Sequence, residues 1–304
     1  MGGDLLNDYI HSHINTMKTV LVTGASGFLG HHLVAELLKR GDTKVIAILG
    51  RPEDKANALP GGTNITVYPV EALFTKQLEN IDTVVNCAFA RNNDAKLLAG
   101  AFDFTEKLIK RLEELKVKSV INISTQGVYK RLGVGELSKE DSPIEPIDLY
   151  SMAKYATEKM FSISSIPYVT NVRLASILMP QRFLYFFVNK AKAGEHFTVT
   201  APNQYAALLD VSDAASALAS LASLAHEDRA AVYNLGIGTQ YSLLEYAESV
   251  KAIGQQLGYT VDFDVVDNGT TICAGMDCSK LMKDTGWEPV FNKDKMIIKL
   301  FNEI

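Results

Sequence analysis

The chain reads as an α/β protein, a doubly wound parallel sheet carrying a smaller, mostly C-terminal α/β lobe. Three features point that way. Short apolar, β-branched runs alternate with helical segments through the first half, the order that yields parallel strands covered on both faces by crossover helices. The first run leads straight into a glycine-rich turn that opens a helix. With 304 residues, 47% of them hydrophobic, the chain can bury the core such a sheet needs.

Thr19-Val20-Leu21-Val22 is the first strand, apolar without alternation because a parallel strand is buried on both faces. Gly24-Ala25-Ser26-Gly27-Phe28-Leu29-Gly30 follows. The helix after it has Leu33, Val34, Leu37 and Leu38 at helical spacing and ends at Gly41. Strands recur at residues 45–49, 66–70, 82–85 and 119–123, with helical segments between them. Beyond Pro167 the rhythm loosens. A strand at 168–174 precedes Pro180 and the aromatic run Phe183-Leu184-Tyr185-Phe186-Phe187, which we assign to core packing. An alanine-rich helix at 211–224, a strand at 232–235 and a helix at 243–257 complete the series.

Composition excludes several classes. Lys and Arg number 30 against 35 Asp and Glu, a formal charge of −5 with no basic tract, so nucleic acid is not an expected partner. Mean hydropathy is +0.05, and no run approaches the roughly 18 apolar residues of a membrane span. Leu5 and Leu6 do not make the apolar stretch of a signal peptide. Cys87, Cys273 and Cys278 make no disulfide framework, and the four-residue gap between the last two fits neither a zinc knuckle nor a redox pair. His11 and His13 lack other ligand types nearby, so no metal is expected. These features describe a cytoplasmic protein whose partner is a small molecule.

Gly24, Gly27 and Gly30 between a strand and a helix suit a pyrophosphate. Gly24 permits the tight turn, Gly27 lets backbone approach phosphate, and Gly30 lets the helix pack closely. The helix N-terminus supplies free N–H groups and a positive dipole end. This is the phosphate-binding turn of a Rossmann-type fold. Residues 17–175 are then a dinucleotide-binding domain, with 205–235 returning to it, and 176–204 with 236–304 form a substrate-binding lobe. Residues 1–16 are a leader placed in neither. After the second strand stand Gly50 and Arg51 in place of an acidic residue. A guanidinium there suits a ribose 2′-phosphate, which favours NADP over NAD.

Tyr150 and Lys154 lie four residues apart in a predicted helix, one turn apart on one face. Such a pair suits hydride transfer at a carbinol carbon, where the hydroxyl proton must leave as the hydride does. A free tyrosine with pKa about 10 is ionised at pH 7 only about one part in a thousand, and an adjacent ammonium favours the phenolate. Tyr155 and Lys159 share the spacing. Five residues rotate a helix by roughly 140° net, so the two pairs cannot serve one site, and propensity does not choose between them.

The sequence resembles the extended short-chain dehydrogenase/reductase family, the nucleotide-sugar epimerases, dehydratases and reductases, from about Lys18 to about Pro289. The resemblance rests on residues 23–30, on Asp82-Thr83-Val84-Val85-Asn86-Cys87-Ala88, on Ile123-Ser124-Thr125-Gln126-Gly127-Val128-Tyr129 and on Tyr150-Ser151-Met152-Ala153-Lys154. Leu209-Asp210-Val211-Ser212-Asp213, Val232-Tyr233-Asn234-Leu235-Gly236 and residues 277–289 follow the family's later landmarks in order. The resemblance implies Tyr150 as the acid/base, because the family's Lys-x-x-x-Glu run is matched by Lys154 to Glu158. It implies Lys154 on the nicotinamide ribose and Thr125 on the substrate oxygen, with Ser124 structural on the opposite side of the strand. It implies cofactor contacts from Gly24, Ser26, Gly27, Phe28, Leu29, Gly30, Val70, Cys87, Ala88, Tyr150 and Lys154, in addition to Arg51. The activity implied is that of an NAD(P)-dependent epimerase or reductase acting on a sugar or nucleotide-sugar-like substrate, in a homodimer. The alternatives are an NADP-dependent reductase of a non-nucleotide carbonyl compound and a non-catalytic redox sensor.

Several positions depart from the family pattern. Gln126 and Gly127 stand where the dehydratases carry Asp-Glu, which disfavours dehydration. Lys130 replaces a glycine, Val70-Glu71 a Gly-Asp pair and Ser176 an asparagine. Tyr205 or Ala206 stands where an arginine often grips the nucleotide diphosphate, which weakens the case for a nucleotide-linked sugar. Arg91, after the fourth strand, is a further candidate for a cofactor or substrate phosphate. His31 and His32 are assigned to packing, and Trp287 to anchoring the C-terminal segment.

Overall fold

The computed structural model describes residues 17–50 and 59–304. Its central sheet has seven parallel strands: β1 (Lys18–Thr23), β2 (Thr43–Leu49), β3 (Ile65–Pro69), β4 (Thr83–Asn86), β5 (Ser119–Thr125), β6 (Tyr168–Leu174) and β7 (Val232–Leu235). Their spatial order is β7-β6-β5-β4-β1-β2-β3. The chain builds outward from β1 in one direction and then crosses back to start β4 on the other side. Helices α1 (Phe28–Lys39), α2 (Val70–Thr75), α3 (Ala95–Glu114) and α4 (Leu149–Ser162) belong to this half, and α5 (Phe183–Ala193) opens the next. Then come α6 (Val211–Ser223), α7 (Leu243–Gln256), α8 (Ser279–Thr285) and α9 (Lys293–Glu303). No described helix is long and apolar enough to cross a membrane.

The unbroken apolar strands follow from a sheet covered twice. Val20 and Val22 pack with Leu33, Leu37 and Leu218 of α1 and α6, whereas Leu21 between them packs with Leu108, Leu112 and Phe161 of α3 and α4. Successive side chains point to opposite faces, so each face claims alternate residues of one strand. A separate apolar cluster joins α5, α7 and α9 through Leu184, Phe187, Tyr246, Val250, Ile297 and Leu300. Here the aromatic run 183–187 lies at the start of α5. Phe187 stacks on Phe197 at 4.8 Å, and Phe197 on Phe263 at 5.3 Å, which accounts for it as packing.

Element boundaries differ little from the sequence reading. The strand expected at 66–70 ends at Pro69, and Val70 opens α2. The sheet also holds a polar row absent from that reading. The Thr23 hydroxyl donates to Asn86 Oδ1 (2.7 Å), Asn86 Nδ2 to Asn122 Oδ1 (3.0 Å) and Asn122 Nδ2 to Asn171 Oδ1 (2.9 Å). These residues are paired in register across β1, β4, β5 and β6. Because each amide is satisfied by its neighbour, the row is affordable inside the sheet, and it fixes the strand ends from which Cys87 and Ser124 follow.

Candidate active site

The site lies where β1 and β4 part, at the carboxyl ends of the strands, the place an open α/β sheet reserves for ligands. Gly24 has φ 66°, and a Cβ on it would sit 2.9 Å from Ala88 N. A Cβ on Gly30 would sit 2.2 Å from the Gly24 carbonyl oxygen. Both positions therefore demand glycine, one for handedness and contact, the other for contact alone. Gly27 caps α1 with no side-chain hydrogen bond, and the first turn carries no acidic residue, which leaves its N–H groups open to an anion. Ser26 Oγ accepts the Gly50 N–H at 3.4 Å, tying the turn to the end of β2. Arg51 lies outside the described residues.

Two cavities flank this turn. One, of about 360 Å³, is walled by Gly24, Gly27, Phe28, Leu29 and Gly30 on one side and by Cys87, Thr125, Tyr150 and Lys154 on the other. The second, of about 320 Å³, is apolar, lined by Ile48, Gly50, Val70, Ala88, Leu97 and Phe104 among others. Every described residue assigned to the cofactor borders one cavity or the other, except Ser26, which braces the turn from behind.

Helix α4 carries the Tyr/Lys pair. Its N-cap Asp148 accepts the Ser151 N–H at 2.7 Å, and Asn93 Oδ1 accepts the Tyr150 N–H at 2.9 Å, so the first turn is held from both ends. The Tyr150 and Phe89 rings meet in a T-shaped arrangement, 6.0 Å between centres. Lys154, 3% exposed, places its ammonium 4.2 Å from the Phe89 ring centre, with no hydrogen-bond partner among the described residues. Burial pulls its pKa down to about 8, against the opposing pull of the Glu158 carboxylate. The Cys87 thiol is pushed up to about 12 by burial and so stays neutral. Burial also raises the Tyr150 phenol, and the cations that oppose the rise are Arg91 and Arg182. This differs from the expectation that Lys154 tunes Tyr150. One helical turn further in, the lysine points under Phe89 towards Cys87, while the arginines face the phenol.

Thr125 ends β5, and its Oγ1 accepts the Gly127 N–H at 3.2 Å, which leaves its own proton free to donate. Ser124 is buried and donates to Glu158 Oε1. Glu158 pairs with Arg173 through two bonds, 2.9 and 3.1 Å, with both side chains almost fully buried. Arg173 Nη1 reaches the Tyr129 hydroxyl at 2.9 Å, and that hydroxyl donates to Asn234 Oδ1 at 2.7 Å. Ser124, Tyr129, Glu158 and Asn234, landmarks in the sequence, are thus one buried network, which reaches the cavity wall at Ser124. Asp210 and Asp213 are structural as well. The first caps α6 and pairs with Lys299 at 2.7 Å; the second accepts the N–H groups of Val290 and Phe291.

On the far side of Tyr150 the cavity continues into a polar pocket lined by Arg91, Arg131, Arg182, Asn92, Gln126 and Ser176. Gln126 donates to Ser176 Oγ at 3.3 Å, and its buried Oε1 has no partner. Arg182 and Arg131 were not singled out from sequence. They lie far along the chain in segments without periodicity, and only the fold brings them to Tyr150. Tyr155 and Lys159, the alternative pair, make a cation–π contact of 4.9 Å and line neither cavity nor pocket. Lys130 pairs weakly with Glu145 at 3.8 Å. Tyr205 and Ala206 lie in a short strand pairing with Tyr241–Ser242 and border none of these spaces. His32 bonds to the Phe28 carbonyl within α1, and Cys273 and Cys278 are buried free thiols.

The NAD dependent epimerase/dehydratase family profile matches residues 20–236. Among curated proteins, a UDP-glucose 4-epimerase of Halalkalibacterium halodurans is 24% identical over 90% of this chain and 91% of its own length. A dTDP-glucose 4,6-dehydratase of Xanthomonas campestris is 25% identical over 92% of this chain and 91% of its own. Among solved structures, the UDP-N-acetylglucosamine 4-epimerase of Bacillus cereus superposes with a TM-score of 0.77 at 20% identity, covering 94% of this chain and 98% of that one. The UDP-glucose 4-epimerase of Thermus thermophilus, solved with NAD, gives 0.74 at 21%, covering 94% and 99%. With the glycine turn, the seven-stranded sheet and a profile match across most of its length, this chain belongs to the NAD-dependent epimerase/dehydratase family, within the extended short-chain dehydrogenases/reductases.

Proposed function

We propose that the protein is an NAD(P)-dependent epimerase or reductase acting at a carbinol or carbonyl carbon of a sugar or nucleotide-sugar-like substrate. The observation that carries this reading is the convergence of Thr125, Tyr150 and Lys154 on the cavity bounded by the glycine turn. The residues present fit a dinucleotide. The turn offers unclaimed N–H groups, the apolar second cavity suits a flat base, and Lys154 holds an unpartnered ammonium against the same space. When bound, the nicotinamide supplies a hydride acceptor and donor. Tyr150 takes the substrate hydroxyl proton as the C–H bond breaks and returns it in the reverse direction. Thr125 donates to the substrate oxygen and keeps it beside the phenol, and Lys154 donates to the cofactor ribose. Both α5 and its cluster with α7 and α9 serve as the substrate-binding lobe, through Met179 and Arg182 at its edge.

Two finer points belong to the same proposal. NADP is favoured over NAD, on Arg51 beside the small Gly50. Dehydration is disfavoured. Gln126 and Gly127 supply neither acid nor base, and a Cβ on Gly127 would require the Ser151 hydroxyl, 2.3 Å away, to rotate aside. The test is to denature the purified protein, identify any nicotinamide nucleotide released, and assay wild type and Tyr150→Phe with UDP- and dTDP-hexoses. Retained NAD with interconversion of C4 epimers means an epimerase and removes the Arg51 argument. An empty protein preferring NADPH means a reductase. Turnover unchanged in Tyr150→Phe overturns the assignment of the acid/base.

A further inference from the structure

We propose that the polar pocket beside Tyr150 is an anion subsite, in which Arg91, Arg131 and Arg182 receive a carboxylate or phosphoryl group carried by the substrate close to its reacting carbon. The inference rests on the proposed hydride-transfer site, because Thr125, Gln126, Tyr150 and Ser176 line both spaces.

Three segments deliver the cations: the loop after β4, the loop after the turn that follows β5, and the N-cap of α5. Among the described residues none of the three is within ion-pair distance of a carboxylate. Arg91 Nη1 contacts only the Met179 thioether at 3.1 Å, and Arg131 Nη1 only the Cys273 carbonyl at 3.5 Å. Arg182 Nε is buried with no partner at all. The one acid lining the pocket, Asp148, is engaged at the N-terminus of α4 by the Ser151 N–H. No side chain caps α5 and no acid lies in its first turn, so its positive end adds to the field. Burial, and then the charge of Arg91, hold the Arg182 pKa below its ordinary value. Like charges gathered without an acid between them are a standing electrostatic cost that a bound anion removes. Guanidinium forks also match carboxylate and phosphate geometry with two parallel bonds. Gln126 Oε1, an unpartnered acceptor on the same wall, suits a neighbouring substrate hydroxyl.

Two sources carry this chemistry, a ring carboxylate and the diphosphate of a nucleotide-linked sugar. Calorimetric titrations of the full chain, with the glycine turn filled by saturating NAD or NADP, separate them. The probes are inorganic diphosphate, UDP-glucose and UDP-glucuronate, and the variants are Arg182→Met and the exposed Arg131→Met. Tenfold or greater loss of diphosphate affinity in both variants, with unchanged melting temperature, is the expected result. A ring carboxylate predicts that UDP-glucuronate binds at least tenfold tighter than UDP-glucose, and that the variants erase the difference. A diphosphate predicts equal loss for both UDP-sugars. Affinities that ignore both substitutions overturn the subsite, as does wild-type protein that binds NADH but none of the three probes. Failure of the hydride-transfer reading is seen separately, as absent NADH binding or as turnover indifferent to Tyr150→Phe.

Discussion

The two ends of the cavity are built from different materials. The proposed cofactor end is organised by the backbone of one contiguous segment, residues 24–30, whose shape is enforced by glycine at Gly24 and Gly30. The proposed substrate end is lined by long side chains from residues 91, 131 and 182, held by loops and one helix terminus. A backbone-built site has few allowed sequences, because a single Cβ at Gly24 or Gly30 meets other backbone within 3 Å. A site built from side chains tolerates many sequences, since each arginine is replaced without moving the chain that carries it. Substitutions at the first end should therefore cost stability and cofactor together. Those at the second should alter ligand choice alone.

Tyr150 sits on the border of the two, and its loss is the sharpest test of where chemistry resides. Tyr150→Phe should lower single-turnover hydride transfer by about 10³-fold, with the melting temperature unmoved, because the hydroxyl has no hydrogen-bond partner among the described residues. A fall of only a few-fold would shift the acid/base elsewhere in the polar pocket.

The buried network should answer in stability instead. Glu158→Ala leaves the Arg173 guanidinium enclosed without its two carboxylate bonds. The expected loss is about 3–5 kcal/mol, read by urea denaturation. Glu158→Gln keeps one acceptor and should lose less. Equal stability of all three proteins would mean that water reaches the pair. Gly30→Ala follows at about 1–3 kcal/mol, an overpacking cost, accompanied by weaker NADH binding. Gly27→Ala, exposed and with its Cβ 3.1 Å from the nearest atom, should lose less stability but at least as much NADH affinity, because its methyl group stands where the phosphate is proposed to approach.

This division also explains what was legible in the sequence. The strands, the glycine turn and α4 announce themselves through local periodicity and glycine spacing. Tyr150 was preferred over Tyr155 only because the family resemblance supplied the neighbouring Glu158, and its place becomes physical once Glu158 is seen gripping Arg173. The row Thr23, Asn86, Asn122 and Asn171 left no local signal, for each amide gains its partner only when four strands align in register. Arg182 and Arg131 were silent for the same reason. Their meaning is their distance from carboxylates, a property of the folded chain.

A pH-dependent test concerns Lys154, and its sign separates burial from simple solvent exposure. The folded pKa is about 8 against an ordinary 10.5, with burial as the main cause. Below about pH 8 both folded and unfolded chains hold the proton, and the cost of enclosing the ammonium is fully present. Between about 8 and 10.5 the unfolded chain keeps a proton that the folded chain has released. Stability contributed by this group therefore rises with pH across that window, by at most about 1.4 kcal/mol per pH unit. Lys154→Met removes the contribution. The cofactor-free variant should be more stable than wild type at pH 7, and the difference should shrink steadily from pH 8 to 10.5. Parallel stability profiles across that range would show the ammonium solvated in the empty cavity, with Phe89 shielding one face only. The cavity would then be open enough at this end for water to stand where the ribose is proposed to bind.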